Sequence, residues 1–141
     1  MHNKDRYLEY FAKVPMFQAL PKKDLAAVGK MAERVDVPGG TVLIKEGATG
    51  KEFFVVEKGT AVVKRGTKKL ASLGAGGFFG ELALLDGAPR DATVIAETDM
   101  TLVVLGQREF YGLLEQIPGL ALKIMKGMAQ RLRQADTKQV N

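Results

Sequence analysis

Cysteine and tryptophan are absent from this chain of 141 residues, and its one histidine is His2. Without cysteine there are no disulfide bonds, thiol nucleophiles, Cys-ligated zinc sites or iron–sulfur clusters. A single histidine close to the chain start excludes multi-histidine metal centres and a Ser-His-Asp triad. Most enzyme chemistry is thereby ruled out, so we expect a binding protein that is not an enzyme and holds no metal.

Long apolar runs are also missing. No stretch approaches the roughly 18 consecutive apolar residues that suggest a membrane-spanning helix. The first residues, Met1–Arg6, do not resemble a signal peptide. Together with the lack of cysteine, these features predict a cytoplasmic protein with no membrane partner.

The composition that is present is typical of a globular domain, with 46% hydrophobic and 26% charged residues. Basic residues outnumber acidic ones by 21 to 16, and the net charge of +5 suits an anionic ligand. These basic residues are spread along the chain, so an ordinary solvated surface explains them better than a dedicated anion-binding face. For that reason we do not expect DNA as a partner.

The order of sequence patterns predicts an α+β fold in a single domain spanning residues 1–141. Apolar residues at helical spacing indicate two short helices in a helical lead, 1–34, separated by a turn at Val14-Pro15. Over 35–106, short β-branched runs alternate with glycine turns, which indicates an antiparallel β-roll of the double-stranded β-helix or jelly-roll type. Helical spacing returns over 107–137, with a break at Ile117-Pro118. The predicted strands are Thr41–Ile44, Phe53–Glu57, Thr60–Lys64, Leu70–Leu73, Ala92–Ala96 and Thr101–Leu105.

The last helix carries an apolar stripe whose members are separated by four, three, four and three positions. The stripe consists of Ala121, Met125, Met128, Leu132 and Ala135. Such heptad-like spacing is usually buried core or the seam of a helical dimer. Methionine can also pack against a flat ligand, because its side chain is flexible and polarizable.

One segment interrupts the strand rhythm and carries the chemistry. The apolar run Leu82–Leu85 predicts about one helical turn, and the N–H groups at the start of such a turn favour an anion. Arg90 follows Pro89 and could converge on the same anion with its planar guanidinium. Glu81 suits a sugar hydroxyl better than a phosphate, so the segment indicates a phosphorylated sugar or a nucleotide. The alternative is that Arg90 and Glu81 pair with each other inside a polar turn.

Phe79-Gly80-Glu81-Leu82-Ala83-Leu84 followed by Pro89-Arg90-x-Ala92-Thr93-Val94 resembles the phosphate-binding cassette of the cyclic nucleotide-binding domain family, here spanning 79–93. The spacings Gly40-x-x-x-Ile44-x-x-Gly47 and Phe53-x-x-x-Glu57-x-Gly59 are similar to the family's β-roll. The resemblance implies that Arg90 grips a cyclic phosphate, Glu81 accepts the ribose 2′-hydroxyl and backbone N–H groups complete the site. The implied ligand-binding residues are Phe79, Gly80, Glu81, Leu82, Ala83, Arg90, Asp91, Ala92 and Thr93, with Met125, Met128 and Leu132 as candidates to cap the base.

Asp91 departs from the family pattern, which places a small or hydroxyl residue directly after the arginine. A carboxylate facing the phosphate would repel it, one facing the base edge could accept hydrogen bonds from guanine, and one facing solvent would do neither. Both the affinity and the choice between cyclic AMP and cyclic GMP therefore depend on where Asp91 points.

The resemblance implies a regulatory module that binds a cyclic purine nucleotide, cyclic AMP in the first place, and signals to an unidentified effector protein by repositioning its C-terminal helices. One alternative is the sensing half of a catabolite-activator-type transcription regulator, although the chain ends at Asn141 without its DNA-binding domain. Another is a ligand-free module that forms a homodimer through the last helix. The implied ligand needs no metal.

Overall fold

The computed structural model describes the backbone of residues 3–140 and the side chains of residues 7–134. His2, and the side chain of Ala135 in the apolar stripe, lie outside the described residues. The chain forms two compact units, one of residues 1–31 and 111–141 and one of residues 32–110. The first is helical and the second contains all the described strands, so the predicted α+β fold class is confirmed.

The β unit consists of two four-stranded antiparallel sheets, ordered β1-β8-β3-β6 and β2-β7-β4-β5. All six predicted strands form, within two residues of the expected bounds at each end. The eight strands are β1 (Glu33–Val37), β2 (Val42–Ile44), β3 (Glu52–Lys58), β4 (Ala61–Arg65), β5 (Lys68–Leu73), β6 (Phe78–Phe79), β7 (Thr93–Ala96) and β8 (Met100–Gly106).

Two strands, β1 and β6, were not predicted from the sequence. The first begins at Glu33, so the change from helix to strand falls earlier than residue 35, and its two acidic residues weaken the β signal. Pairing with β8 in register from Glu33 to Val37 makes it a strand. β6 is only two residues long and exists because Phe78 and Phe79 pair with β3.

An apolar cluster fills the space between the two sheets. We call it the inter-sheet core; its buried members are Phe54, Val56, Ala61, Val94, Ala96, Met100 and Leu102. The ring of Phe79 stacks on that of Phe54, with centroids 4.8 Å apart and planes 13° apart. This contact anchors the start of segment 79–93 to the inter-sheet core.

The helices are α1 (Asn3–Ala12), α2 (Lys22–Met31), α3 (Ala83–Asp86), α4 (Gln107–Gln116) and α5 (Leu120–Val140), with a 3-10 helix at Pro15–Phe17. In the helical unit, α5 buries Leu120 and Ile124, and Lys123 forms an ion pair of 2.9 Å with the buried Asp24 of α2. No helix in the described part of the chain combines the length and apolarity needed to cross a bilayer.

The apolar stripe of α5 is not core at Met125 and Leu132, whose side chains are 59% and 64% exposed. Met128 is half-buried, and Ala121 is exposed. The buried face lies at Leu120 and Ile124 because those residues pack within the helical unit. The base-cap and dimer-seam interpretations of the stripe remain predictions.

Candidate functional site

A pocket of about 390 Å³ opens in the β unit beside sheet β2-β7-β4-β5. Its volume is in the range of small-molecule sites, roughly 300–1,000 Å³. Ile44, Val63 and Val94 provide an apolar wall. The rest of the lining comes from the unusual segment: Phe79, Gly80, Glu81, Leu82, Ala83, Asp86, Ala88, Pro89, Arg90, Asp91 and Ala92. The structure thus brings the predicted ligand-binding residues together around one pocket, apart from Thr93, whose Oγ1 accepts the Glu46 N–H at 2.9 Å.

The backbone of Arg90 is fixed by two hydrogen bonds. Its N–H donates to the Ala48 carbonyl and its carbonyl accepts the Gly47 N–H, both at 2.8 Å. Pro89 forms a β-bridge with Thr49. Because Pro89 fixes its own φ and the flanking groups are paired, the chain enters Arg90 in one direction.

The guanidinium of Arg90 lies in a slot between two glycines. A Cβ atom at Gly50 would lie 2.8 Å from Arg90 Cζ, and one at Gly80 would lie 2.7 Å from Nη1. Gly80 also has φ +85°, a conformation that other residues rarely adopt. The guanidinium therefore fits only because both positions lack a side chain.

The charge of Arg90 is partly desolvated. Its Nη2 donates to the backbone carbonyl of Glu52 at 2.8 Å, and no ion pair joins it to a carboxylate in the part of the chain that the structure describes. Burial lowers the pKa of Arg90 from its usual value, and the Glu52 carboxylate opposes this effect. Arginine remains protonated in proteins, so the site presents a fixed cation that an anion would stabilise. The alternative of an Arg90–Glu81 pair is not what the structure contains.

Glu81 and α3 lie next to the arginine along the pocket wall. Glu81 is half-buried, and its Oε2 atom is shielded from solvent. The predicted helical turn at Leu82–Leu85 is observed at Ala83–Asp86 and ends at Gly87, whose φ is +62°. The sequence predicts unsatisfied N–H groups at the start of this turn, but two of them are paired. Those of Ala83 and Leu84 donate to the carbonyls of Gly80 and Glu81 at 3.2 Å, because tight i→i+3 bonds close so short a helix.

Asp91 points into solvent. Its side chain is 93% exposed, and Oδ2 lies 3.8 Å from Arg65 Nη2. Arg65 Nε also donates to the Asp91 backbone carbonyl at 2.9 Å, which braces the chain directly after Arg90. Of the three orientations considered for Asp91, the structure has the one in which the carboxylate faces solvent.

Four contributors to the site were missed in the sequence: Gly50, the Glu52 carbonyl, Arg65 and Gln107. Gly50 stood in a stretch interpreted only as a turn, and a backbone carbonyl leaves no residue-type signal. Arg65 had only the signal of a basic pair with Lys64. Gln107, the first residue of α4, donates from Nε2 to the Ala83 carbonyl at 3.0 Å, and nothing in the sequence indicates this contact.

The three base-cap candidates, Met125, Met128 and Leu132, lie on α5 in the helical unit, whereas the residues lining the pocket all belong to the β unit. Among the described residues, no group of three or more His, Cys, Asp or Glu side chains is arranged to hold a metal ion. The site therefore combines one fixed cation, the carboxylates of Glu81, Asp86 and Asp91, and backbone groups around an apolar wall.

The family model described as cyclic nucleotide-binding domain matches residues 34–117. The chain belongs to this family. It is 36% identical over 114 residues to a cAMP-dependent protein kinase regulatory subunit from Hypocrea atroviridis, and 35% identical over 126 residues to a cyclic nucleotide-gated potassium channel from Rhizobium etli. A solved N-terminal domain of a transcriptional regulator from Streptomyces coelicolor aligns with a TM-score of 0.82 and 29% identity, covering 92% of this chain and 94% of that one.

The first alignment covers 81% of this chain and 25% of the kinase subunit, and the second covers 89% of this chain and 35% of the channel. This chain therefore spans about a quarter to a third of the length of these relatives. The modules similar to it occur in a kinase regulator, a channel and a transcription regulator.

Proposed function

We propose that this chain is a regulatory module that binds cyclic AMP in the pocket beside Arg90 and signals through its C-terminal helices. The single observation that carries the proposal is the Arg90 guanidinium, which is partly desolvated, fixed in a slot of two glycines and not ion-paired with a carboxylate among the described residues. Keeping such a cation at a pocket wall costs stability unless an anionic ligand occupies the pocket.

A cyclic phosphate matches this cation in charge and shape. The planar guanidinium can donate two parallel hydrogen bonds to the phosphate oxygens, and such charge-assisted bonds are about twice as strong as neutral ones. In this proposal the backbone groups of Gly80, Leu82, Ala83 and Ala92 face the phosphate. Phe79 fixes the start of the segment through its stacked ring. Nucleotide oxygens can join or replace the long 3.2 Å bonds at Ala83 and Leu84.

Glu81 is proposed to accept a hydrogen bond from the ribose 2′-hydroxyl. Its half-buried position in the pocket lining lets it meet a sugar while the phosphate lies on Arg90. A carboxylate placed against the phosphate itself would repel it. In this proposal Arg90 therefore binds the phosphate and Glu81 binds the ribose.

For the base, we propose adenine rather than guanine. Asp91 faces solvent, so nothing at that position accepts hydrogen bonds from the guanine edge. The relative from Hypocrea atroviridis is, by its name, the regulatory subunit of a cAMP-dependent protein kinase. The exposed Met125 and Leu132 and the half-buried Met128 of α5 are proposed to cap the base when the helix moves.

A second function, supported by the similarity to the Streptomyces coelicolor domain, is the sensing half of a transcription regulator. It uses the same pocket and differs only in the effector. A homodimer through the exposed stripe of α5 is compatible with this function and would bury Met125 and Leu132. A ligand-free module is disfavoured, because the cost of desolvating Arg90 would then be offset by no bound anion.

Isothermal titration calorimetry with cyclic AMP, cyclic GMP and 5′-AMP tests the proposal. We expect saturable binding of cyclic AMP, weaker binding of cyclic GMP and the weakest binding of 5′-AMP, whose open phosphate carries a second charge and a different shape. Absence of binding by both cyclic nucleotides would leave the ligand-free module as the correct interpretation.

A further inference from the structure

Gln107 joins the short helix α3 to the first residue of α4. Its Nε2 donates to the Ala83 carbonyl at 3.0 Å and approaches the Leu84 carbonyl at 3.5 Å. Because both acceptors are carbonyl oxygens, the NH₂ group of the amide must face them. The backbone N–H of Gln107 donates to the Lys51 carbonyl at 2.8 Å. The backbone of Gln107 is thus bonded to Lys51, and its side chain is bonded to α3.

Helix α3 has only four residues. All of its carbonyls are terminal, and a helix cannot satisfy its last carbonyls itself. Gly87 ends the helix and donates to the Ala83 carbonyl at 3.0 Å, so Gln107 supplies a second bond to the same oxygen. A Cβ atom at Gly87 would lie 3.4 Å from Gln107 Nε2, which places the amide against the helix end.

The same helix borders the arginine slot. A Cβ atom at Gly50 would lie 2.8 Å from Arg90 Cζ and 2.9 Å from Ala83 Cβ, so Arg90 and Ala83 both rest against Gly50. The Ala83 and Leu84 N–H groups lie at the N-terminal end of α3. In the proposed function, an anion on Arg90 would act on this end of the helix. Gln107 acts on the carbonyls of the same two residues.

We infer that Gln107 is a positioning residue that couples α3 to α4, so that a shift of α3 on nucleotide binding is passed to the first turn of α4. The inference rests on the proposed function. It depends on a donated hydrogen bond and not on packing alone. Gln107→Leu and Gln107→Glu should therefore break the coupling. Leucine is apolar and an ionised glutamate only accepts hydrogen bonds, so neither side chain can donate. Gln107→Lys should retain it, because the ammonium group is a donor with comparable reach.

Spin labels can measure the coupling directly, because the chain contains no cysteine that would compete for the label. One pair of engineered cysteines, Ser72→Cys with Leu85→Cys, reports on α3 relative to strand β5. A second pair, Ser72→Cys with Glu115→Cys, reports on α4 relative to the same strand. All three positions are exposed. Distances are recorded by pulsed electron resonance with and without cyclic AMP, and Gln116→Leu on the same helix is the matched control.

With native Gln107, and with Gln116→Leu, cyclic AMP should shift both distances, on the scale of about 1–2 Å or more that is usual for helix shifts. With Gln107→Leu or Gln107→Glu, the α3 distance should shift while the α4 distance does not, and affinity should fall no more than about tenfold. Gln107→Lys should restore the α4 shift. Circular dichroism checks that each variant folds. If Gln107→Leu does not fold, Gln107→Glu and Gln107→Lys provide the test.

Two results would overturn the inference. If native and Gln107→Leu proteins bind cyclic AMP and show the same α4 shift, or neither shows one, Gln107 does not couple the helices. If calorimetry shows that the native protein binds no cyclic nucleotide, the proposed function fails and the inference fails with it.

Discussion

The inter-sheet core and segment 79–93 are neighbours in the β unit, yet they are made of different kinds of residues. Phe54, Val56 and Leu102 in the core are at most 6% exposed. In the segment, Leu82 and Leu85 are 58% and 40% exposed, while the charged Arg90 is partly buried. The core follows the usual rule of apolar residues inside, and the segment breaks it twice. In the account proposed here, the core supplies stability and the segment supplies binding.

The largest effect is expected in the core, from Phe54→Ala. It removes a buried ring and its stacked partnership with Phe79, which should lower the free energy of unfolding by about 3–5 kcal/mol. Urea denaturation measures it, with Phe54→Leu as a milder variant and the exposed Val42→Ala as control. A loss below about 1 kcal/mol, in the range of ordinary surface substitutions, would show that the cluster is not the source of stability.

Arg90→Ala should separate binding from stability. Removing the charge-assisted partner of the phosphate should weaken cyclic AMP binding by roughly 2–5 kcal/mol, or tens- to thousands-fold. The nucleotide-free protein should keep its unfolding free energy within about 1 kcal/mol, because a desolvated cation leaves together with one hydrogen bond. The exposed Arg108→Ala is the matched control, and equal affinity of Arg90→Ala and native protein would remove Arg90 from the site.

Gly50→Ala tests the glycine slot while keeping the charge. The added methyl would meet Arg90 Cζ at 2.8 Å and Ala83 Cβ at 2.9 Å, so the guanidinium must move. We expect calorimetry to show an affinity loss of roughly tenfold to a hundredfold, or about 1.4–2.7 kcal/mol. Gly74→Ala is the control, because its added Cβ would meet nothing within 4 Å. If both variants bind cyclic AMP equally well, the slot does not position the arginine.

A smaller effect is expected from replacing Met125 and Leu132 together by alanine. Both side chains are exposed, so the unfolding free energy should change by less than about 0.5 kcal/mol. Loss of the proposed base cap should weaken cyclic AMP binding about threefold to tenfold, or about 0.6–1.4 kcal/mol. Leu122→Ala, an exposed leucine of the same helix, is the control. Light scattering in parallel detects a dimer, and unchanged affinity with a lower molar mass would assign the stripe to dimerisation instead.

The smallest effect is predicted for Asp91→Ala. Its carboxylate is 93% exposed and lies beside Arg65, so its influence on a nucleotide is screened by solvent. Affinities for cyclic AMP and cyclic GMP should both change by less than about twofold, or about 0.4 kcal/mol. Tighter binding of both nucleotides would place the carboxylate near the phosphate, and selective loss of cyclic GMP would place it at the base edge.

Local signals in the sequence were enough to predict much of the fold and the position of the candidate site. Glycine turns and β-branched runs predicted six strands, and the Phe79–Val94 motif predicted the segment that lines the pocket. Strands β1 and β6 were missed because their pairing partners, not their own residues, make them strands.

The details of the site depend on contacts between residues that are far apart in the chain. Arg90 donates its hydrogen bond to the backbone carbonyl of Glu52, an acceptor that any residue type could provide. The Asp91 carboxylate lies beside Arg65 of β4, whose side chain also donates to the Asp91 carbonyl. The Ala83 carbonyl of α3 accepts a hydrogen bond from Gln107 of α4. No spacing rule in the sequence connects these positions, so these contacts could be found only in the folded structure.

The most direct test of the central claim is a nuclear magnetic resonance titration of the isotope-labelled chain with cyclic AMP. We predict that backbone amide signals of Gly50, Glu52 and the residues of segment 79–93 shift progressively and saturate. Signals of Val56 and Leu102 in the inter-sheet core should move little. Shifts confined to other parts of the chain, or no saturable shifts at all, would contradict the assignment of binding to the segment and stability to the core.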